Sequence, residues 1–160
     1  MSKVFVTRQI SGKALDELKR VHEVEVYEGV GKIPRQELLE KVRGINALLC
    51  LLTETIDEAV FEAAGPSLKI VSNYAVGYDN IDLEAAKRHN VVVTNTPGRL
   101  GDAVAEFTVA LVLALSRRVV EADKFVRAGL YQDWDPNLFW GLDLTGKILG
   151  VVGPGTIGAV

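Results

Sequence analysis

Three glycines, Gly153, Gly155 and Gly158, stand at G-x-G-x-x-G spacing directly behind the apolar run Ile148–Val152. A strand that feeds such a turn and then a helix can hold a pyrophosphate. The first glycine permits a tight turn, the second lets the backbone approach the phosphates, and the third lets the helix pack close to the strand. The helix opening there would aim free N–H groups and the positive end of its dipole at the anion. The acidic residue that grips the ribose in such units stands about 20 positions further on, past Val160. A second loop, Asn73 to Asp79, follows another apolar run and carries Gly77, read here as a point of unusual backbone angle. It can turn successive backbone N–H groups toward an anion. A plain turn into the following helix is the equal alternative.

Other reactive side chains offer less. The two histidines, His22 and His89, fall at the ends of amphipathic helices beside charged residues, so both are expected to face solvent. Neither has a partner at metal-ligand spacing, so no metal site is expected, and no Ser/His/Asp order is visible. Glu106 sits among Ala105, Phe107, Val109 and Ala110, either partnered in an interface or exposed near a helix start. Cys50, the single cysteine, lies in the apolar run Ala47–Leu52 and reads as an inert buried thiol. Trp134, Phe139 and Trp140 either pack under their loop or meet a partner chain.

The elements that must position these groups alternate. Lys3–Thr7, Glu23–Tyr27, Ala47–Leu52, Leu68–Val71 and Val91–Val93 read as strands. Between them lie helical patterns: Ala14, Leu15, Leu18 and Val21; Leu38, Leu39 and Val42 after Pro34; Ala59–Ala64 capped by Thr55; and Leu83–His89 opened by Asp82. Strand and helix in alternation imply an α/β fold, a parallel sheet with helices on both faces. Ligands then sit beyond the carboxyl ends of the strands, at Thr7-Arg8, Leu52-Thr53, Ser72–Gly77 and Thr94–Pro97. Asn95–Gly98 is a turn cluster and the expected boundary between residues 1–98 and 99–160. Beyond it, one long helix capped by Asp102 is expected to run to Gly129, its first half apolar nearly all round.

Composition closes off some functions. A chain of 160 residues, 48% of them hydrophobic, can bury a core, and a net charge of −3 gives nucleic acid or anionic lipid no basic face. The longest apolar stretch, Ala103–Leu115, is too short to span a bilayer, and the amino terminus does not read as a signal peptide. A cytoplasmic location without nucleic-acid or membrane partners is the expectation.

Asn73–Asp82, Val92–Gly98, Asp102–Glu106 and the terminal glycine turn, in this order and spacing, resemble the D-isomer-specific 2-hydroxyacid dehydrogenases. The branch most similar is glyoxylate/hydroxypyruvate reductase, with 3-phosphoglycerate dehydrogenase as a sister. The resemblance runs from residue 3 to 160. It implies that residues 1–98 form a flavodoxin-like substrate domain. Residues 99–160 would be a hinge and dimerisation helix followed by the first strand and turn of a Rossmann domain for NAD or NADP. The substrate, a small 2-oxoacid or 2-hydroxyacid, would have its carboxylate held by the loop Ala75, Val76 and Gly77, with Leu52 lining the pocket. Val104 would lie near the nicotinamide, and Gly153, Gly155, Thr156 and Ile157 at the pyrophosphate. A homodimer would form through the helix after Asp102. Two departures stand out: relatives commonly carry arginine where this chain has Thr156, and Pro154 removes an N–H donor from the turn. The family's catalytic arginine, glutamate and histidine map onto no residue here, so the chain is expected to be the N-terminal portion of such an enzyme, with little turnover of its own and incomplete cofactor binding. A 3-phosphoglycerate dehydrogenase-like enzyme, a non-catalytic dimerisation module of the family, and a stand-alone flavodoxin-like ligand binder are the alternatives.

Overall fold

In the computed structural model, which describes every residue except Ser11 and Arg99, the apolar runs of the first unit become five short strands. These are β1 (Lys3–Val6), β2 (Glu23–Val26), β3 (Ala47–Cys50), β4 (Ile70–Asn73) and β5 (Val92–Thr94). All pairs are parallel and the order is β2-β1-β3-β4-β5. Side chains alternate across a strand, and the two faces gather different helices. Val4 and Val6 pack with Leu15 of α1 (Lys13–Val21). Phe5, Leu48, Cys50 and Val71 pack with α2 (Arg35–Lys41), α3 (Glu58–Ala64) and α4 (Leu83–Arg88) through Leu38, Val60, Phe61 and Ala85. The alternating glutamates of β2, Glu23 and Glu25, are exposed, as an edge strand allows.

Local signals explain the helix ends. Pro34 precedes α2 with φ −59°, already suited to a helix start. Asp82 caps α4, its carboxylate accepting from the Ala85 N–H at 2.9 Å. Thr55 does not cap α3; Asp57 holds that position and its carboxylate pairs with Arg35 instead. Gly65 ends α3 at φ +72°, a conformation that favours glycine. Cys50 is buried, and burial first, then the Glu54 charge, pushes its thiol up to about 12.

The second unit, Arg99–Val160, departs from expectation twice. The long helix is broken into α5 (Leu100–Ser116) and α6 (Val119–Arg127), with Arg118 left-handed at φ 55°. The Ser116 carbonyl accepts from the Leu142 N–H at 2.7 Å rather than from a following turn, which ends the first helix there. Asp102 lies within the first turn of α5 and is not its cap. Gly129 does stop α6: its N–H and that of Leu130 return to Val126 and Phe125, a Schellman closure. The second departure is that Ile148–Val152 forms no strand. A parallel strand exists only through a ladder with a neighbour, and no described residue of this unit is in a strand.

Among the described residues no helix is long and apolar enough to cross a membrane.

Candidate carboxylate site

The doubly wound order reverses between β1 and β3, and the carboxyl ends there are where such sheets open a crevice. In this chain that crevice holds Glu54, fully buried. Its Oε2 accepts from Thr7 Oγ1 at 2.8 Å and the Leu51 N–H at 2.9 Å, and its Oε1 from Thr53 Oγ1 at 2.6 Å. Arg8 Nη2 stands 3.6 Å away, completing the charge balance. The sequence reading missed Glu54. The flanking threonines, Thr7, Thr53 and Thr55, were the available signal, because a buried carboxylate needs donors that a strand end can supply.

One strand over, past β4, the loop Tyr74–Asp79 is pinned by its carbonyls. Ala75 O accepts from the Thr96 N–H at 2.9 Å, Val76 O from Asn95 Nδ2 at 2.8 Å, and Gly77 O from Asn73 Nδ2 at 2.7 Å. The N–H groups of Ala75, Val76, Gly77 and Tyr78 have no acceptor among the described residues. Four successive free donors at the carboxyl end of a parallel sheet can hold a carboxylate. Gly77 does not take the positive φ expected of it. A Cβ there would lie 3.2 Å from Asp79 Oδ1, a contact that this exposed side chain relieves by turning, so neither backbone angle nor space requires glycine at this position. Leu52 is exposed two residues past Cys50, and Ala75 lies two past Asn73, the residue paired with Cys50 in the ladder. An apolar side chain and the donor loop therefore end adjacent strands.

Both histidines lie at the other end of the sheet, His22 immediately before β2 and His89 at the end of α4, three residues before β5. Neither is the free surface residue expected. His22 is half-buried, with Nδ1 lacking a hydrogen-bond partner. His89 Nε2 is 2.6 Å from Glu58 Oε1 and its ring stacks on Phe61. Arg88 and then His89 hold the Glu58 carboxyl below the usual range. Among the described residues no cluster of three or more His, Cys, Asp or Glu could hold a metal.

In the second unit Gly153 adopts φ +83°, and a Cβ on Gly158 would lie 2.8 Å from the Gly153 carbonyl, so two of the three glycines serve the turn and the close approach. Gly155 uses its N–H on Gly153 O at 2.8 Å, and Pro154 has none. The N–H groups of Thr156 and Ile157 have no acceptor among the described residues, so the turn retains donors for a pyrophosphate. A Cβ on Gly101 would lie 3.1 Å from Thr156 O, which brings the first turn of α5 against the glycine turn. Val104, one turn further along α5 and half-buried, follows on that side. Glu106 is exposed. Trp134 and Trp140 are also exposed, whereas Phe139 packs edge-on against Phe125 at 5.2 Å and lies under Arg118.

Residues 4–145 match the family model of the D-isomer specific 2-hydroxyacid dehydrogenase catalytic domain. The chain belongs to that family. It is 51% identical over 98% of its length to a glyoxylate reductase of Thermococcus kodakarensis and, at the same identity and coverage, to one of Pyrococcus furiosus. It covers 48% and 47% of those two proteins, so it spans about half the length of the curated relatives it matches. A crystal structure of a Thermus thermophilus protein matches it with TM-score 0.89 at 47% identity, over 98% of this chain and 50% of that one. The α/β architecture and parallel sheet are those of this family.

Proposed function

We propose that this chain is the substrate-gripping part of an NAD(P)-dependent oxidoreductase that reduces small 2-oxoacids, of the glyoxylate or hydroxypyruvate type, to D-2-hydroxyacids. The observation that carries the reading is the loop at Ala75–Tyr78, whose carbonyls are engaged and whose N–H groups are free. The glyoxylate reductases at 51% identity support the substrate class. The Val76 and Gly77 amides would bind the substrate carboxylate, and Leu52 would form an apolar wall that sheds water from the oxo carbon. Thr156 and Ile157 would donate to the cofactor pyrophosphate beside Gly153 and Gly155, with Val104 near the nicotinamide. When bound, the reduced nicotinamide supplies the hydride. Residues 1–98 would act as the substrate domain, and residues 99–160 as hinge, dimerisation helix and the start of the cofactor domain. A homodimer through α5 would cover its apolar exposed residues, among them Phe107, Leu111 and Leu115, whose exposure supports this reading.

Titration calorimetry tests the binding half. Glyoxylate and hydroxypyruvate should bind the chain, and glycolaldehyde, which lacks the carboxylate, should not. Equal binding of all three would refute the carboxylate cradle. Because both histidines lie at the opposite sheet end, the 160-residue chain is expected to give no measurable NADH or NADPH oxidation with glyoxylate. Robust turnover would overturn that assignment.

A further inference from the structure

The peptide unit is planar and trans, so the carbonyl of one residue and the N–H of the next point in opposite directions within one rigid plate. The chain contains no cis peptide bond among the described residues. Anchoring a carbonyl therefore aims the following N–H. In the loop after β4, three consecutive plates are anchored in this way. The Thr96 N–H on Ala75 O aims the Val76 N–H, Asn95 Nδ2 on Val76 O aims the Gly77 N–H, and Asn73 Nδ2 on Gly77 O aims the Tyr78 N–H.

We propose that Asn95 and Asn73, the latter locked by Asn80, are positioning residues that set the direction of the cradle amides. This rests on the carboxylate-cradle reading above. Asn73 is buried and gives its second amide hydrogen to Asn80 Oδ1 at 3.0 Å. Asn80 in turn donates to the carbonyls of Leu51 at 3.1 Å and Glu54 at 3.0 Å. Those two residues bracket the turn over the buried Glu54 carboxylate, which accepts from the Leu51 N–H. The segments also run side by side at Ile56 and Ile81, with Ile56 N–H on Asn80 O at 2.8 Å and Asp82 N–H on Ile56 O at 2.9 Å. The ends of β3, β4 and β5 thus meet at this loop, and β1 joins them through Thr7 on the Glu54 carboxylate. A carboxylate approaching such preset donors does not have to order the loop that receives it, and preorganisation of this kind lowers the cost of binding.

The test uses the full 160-residue chain, 15N-labelled, with oxamate as the probe. In the wild type, oxamate should shift the Val76 and Gly77 amide resonances and slow their hydrogen exchange. Asn95→Ala removes a half-buried carboxamide outside the core. It should weaken oxamate binding about tenfold and speed exchange of the Gly77 amide, with the thermal midpoint and the exchange of Leu48 and Val71 unchanged. Asn73→Ala should weaken binding at least as much and act most on the Tyr78 amide. A purely structural role would instead speed exchange throughout the sheet and leave the affinity of the folded protein intact, and that result overturns the proposal. Should Asn73→Ala fail to fold, Asn95→Ala still decides. Silence of the wild-type amides toward oxamate overturns the cradle reading and this inference together. A wild-type response that Asn95→Ala leaves untouched overturns the inference alone.

Discussion

The two units of this chain are made from similarly apolar sequence and reach opposite results. In Met1–Gly98 every strand finds a neighbour and the helices cover apolar residues, so Phe5, Leu48, Val60, Phe61 and Val71 are at most 1% exposed. In Arg99–Val160 the helix α5 is apolar along most of its length, yet neither α5 nor α6 has a buried residue. Hydrophobic content alone does not make a core. An apolar surface is stabilised only where a second layer meets it, and the first unit carries its second layer in its own sequence through β/α alternation.

That contrast can be attacked directly. The largest effect is expected for Phe61→Ala, which opens a cavity between α3 and the sheet and should cost roughly 3–5 kcal/mol in chemical denaturation. The matching truncation Leu113→Ala in α5 should change monomer stability by less than about 0.5 kcal/mol, while raising the dissociation constant of the proposed dimer in analytical ultracentrifugation. Equal losses at the two sites would erase the distinction. Glu54→Ala comes next, at about 2–3 kcal/mol, because it strands the Thr7 hydroxyl and the Leu51 N–H without an acceptor. Asp82→Ala should cost about 1 kcal/mol by removing the α4 cap. The smallest effect is one of pH. Glu58 is held below the ordinary carboxyl value of about 4.3 by Arg88 and His89. Its contribution is therefore present above about pH 4.3 and lost as the pH falls through its lowered folded value. Thermal midpoints of the wild type and Glu58→Gln should differ at neutral pH and converge in acid. A gap that persists at low pH would mean the loss comes from packing and not from charge.

Much of the first unit was legible because its signals are local. Alternation in Glu23–Val26, the unbroken run at Ala47, Pro34 and Asp82 all encode their element within a few residues. The loop Asn73–Asp79 was legible as a glycine-bearing loop at a strand end, with an anion-facing loop and a plain turn weighed equally, and the reason given for its glycine was misjudged, since Gly77 takes no left-handed angle. What escaped was non-local. Glu54 looks like any acidic loop residue until Thr7, 47 positions away, is folded against it. His89 looks like a surface residue until α3 brings Glu58 and Phe61 to it. The break at Arg118 depends on the Leu142 N–H reaching Ser116, which no helical periodicity records. The strand expected at Ile148–Val152 has the right composition, but composition does not supply the partner that a strand requires.

The buried Glu54 has one further consequence. In a doubly wound sheet of this strand order, the vestibule between the first and third strands is where a flat aromatic cofactor such as a flavin commonly lodges. Here that berth is already taken by a side chain tied to its walls by hydrogen bonds from Thr7, Leu51 and Thr53. The strand order is the one a flavin carrier uses, and a designer wishing to install a flavin would have to excavate Glu54 before adding anything.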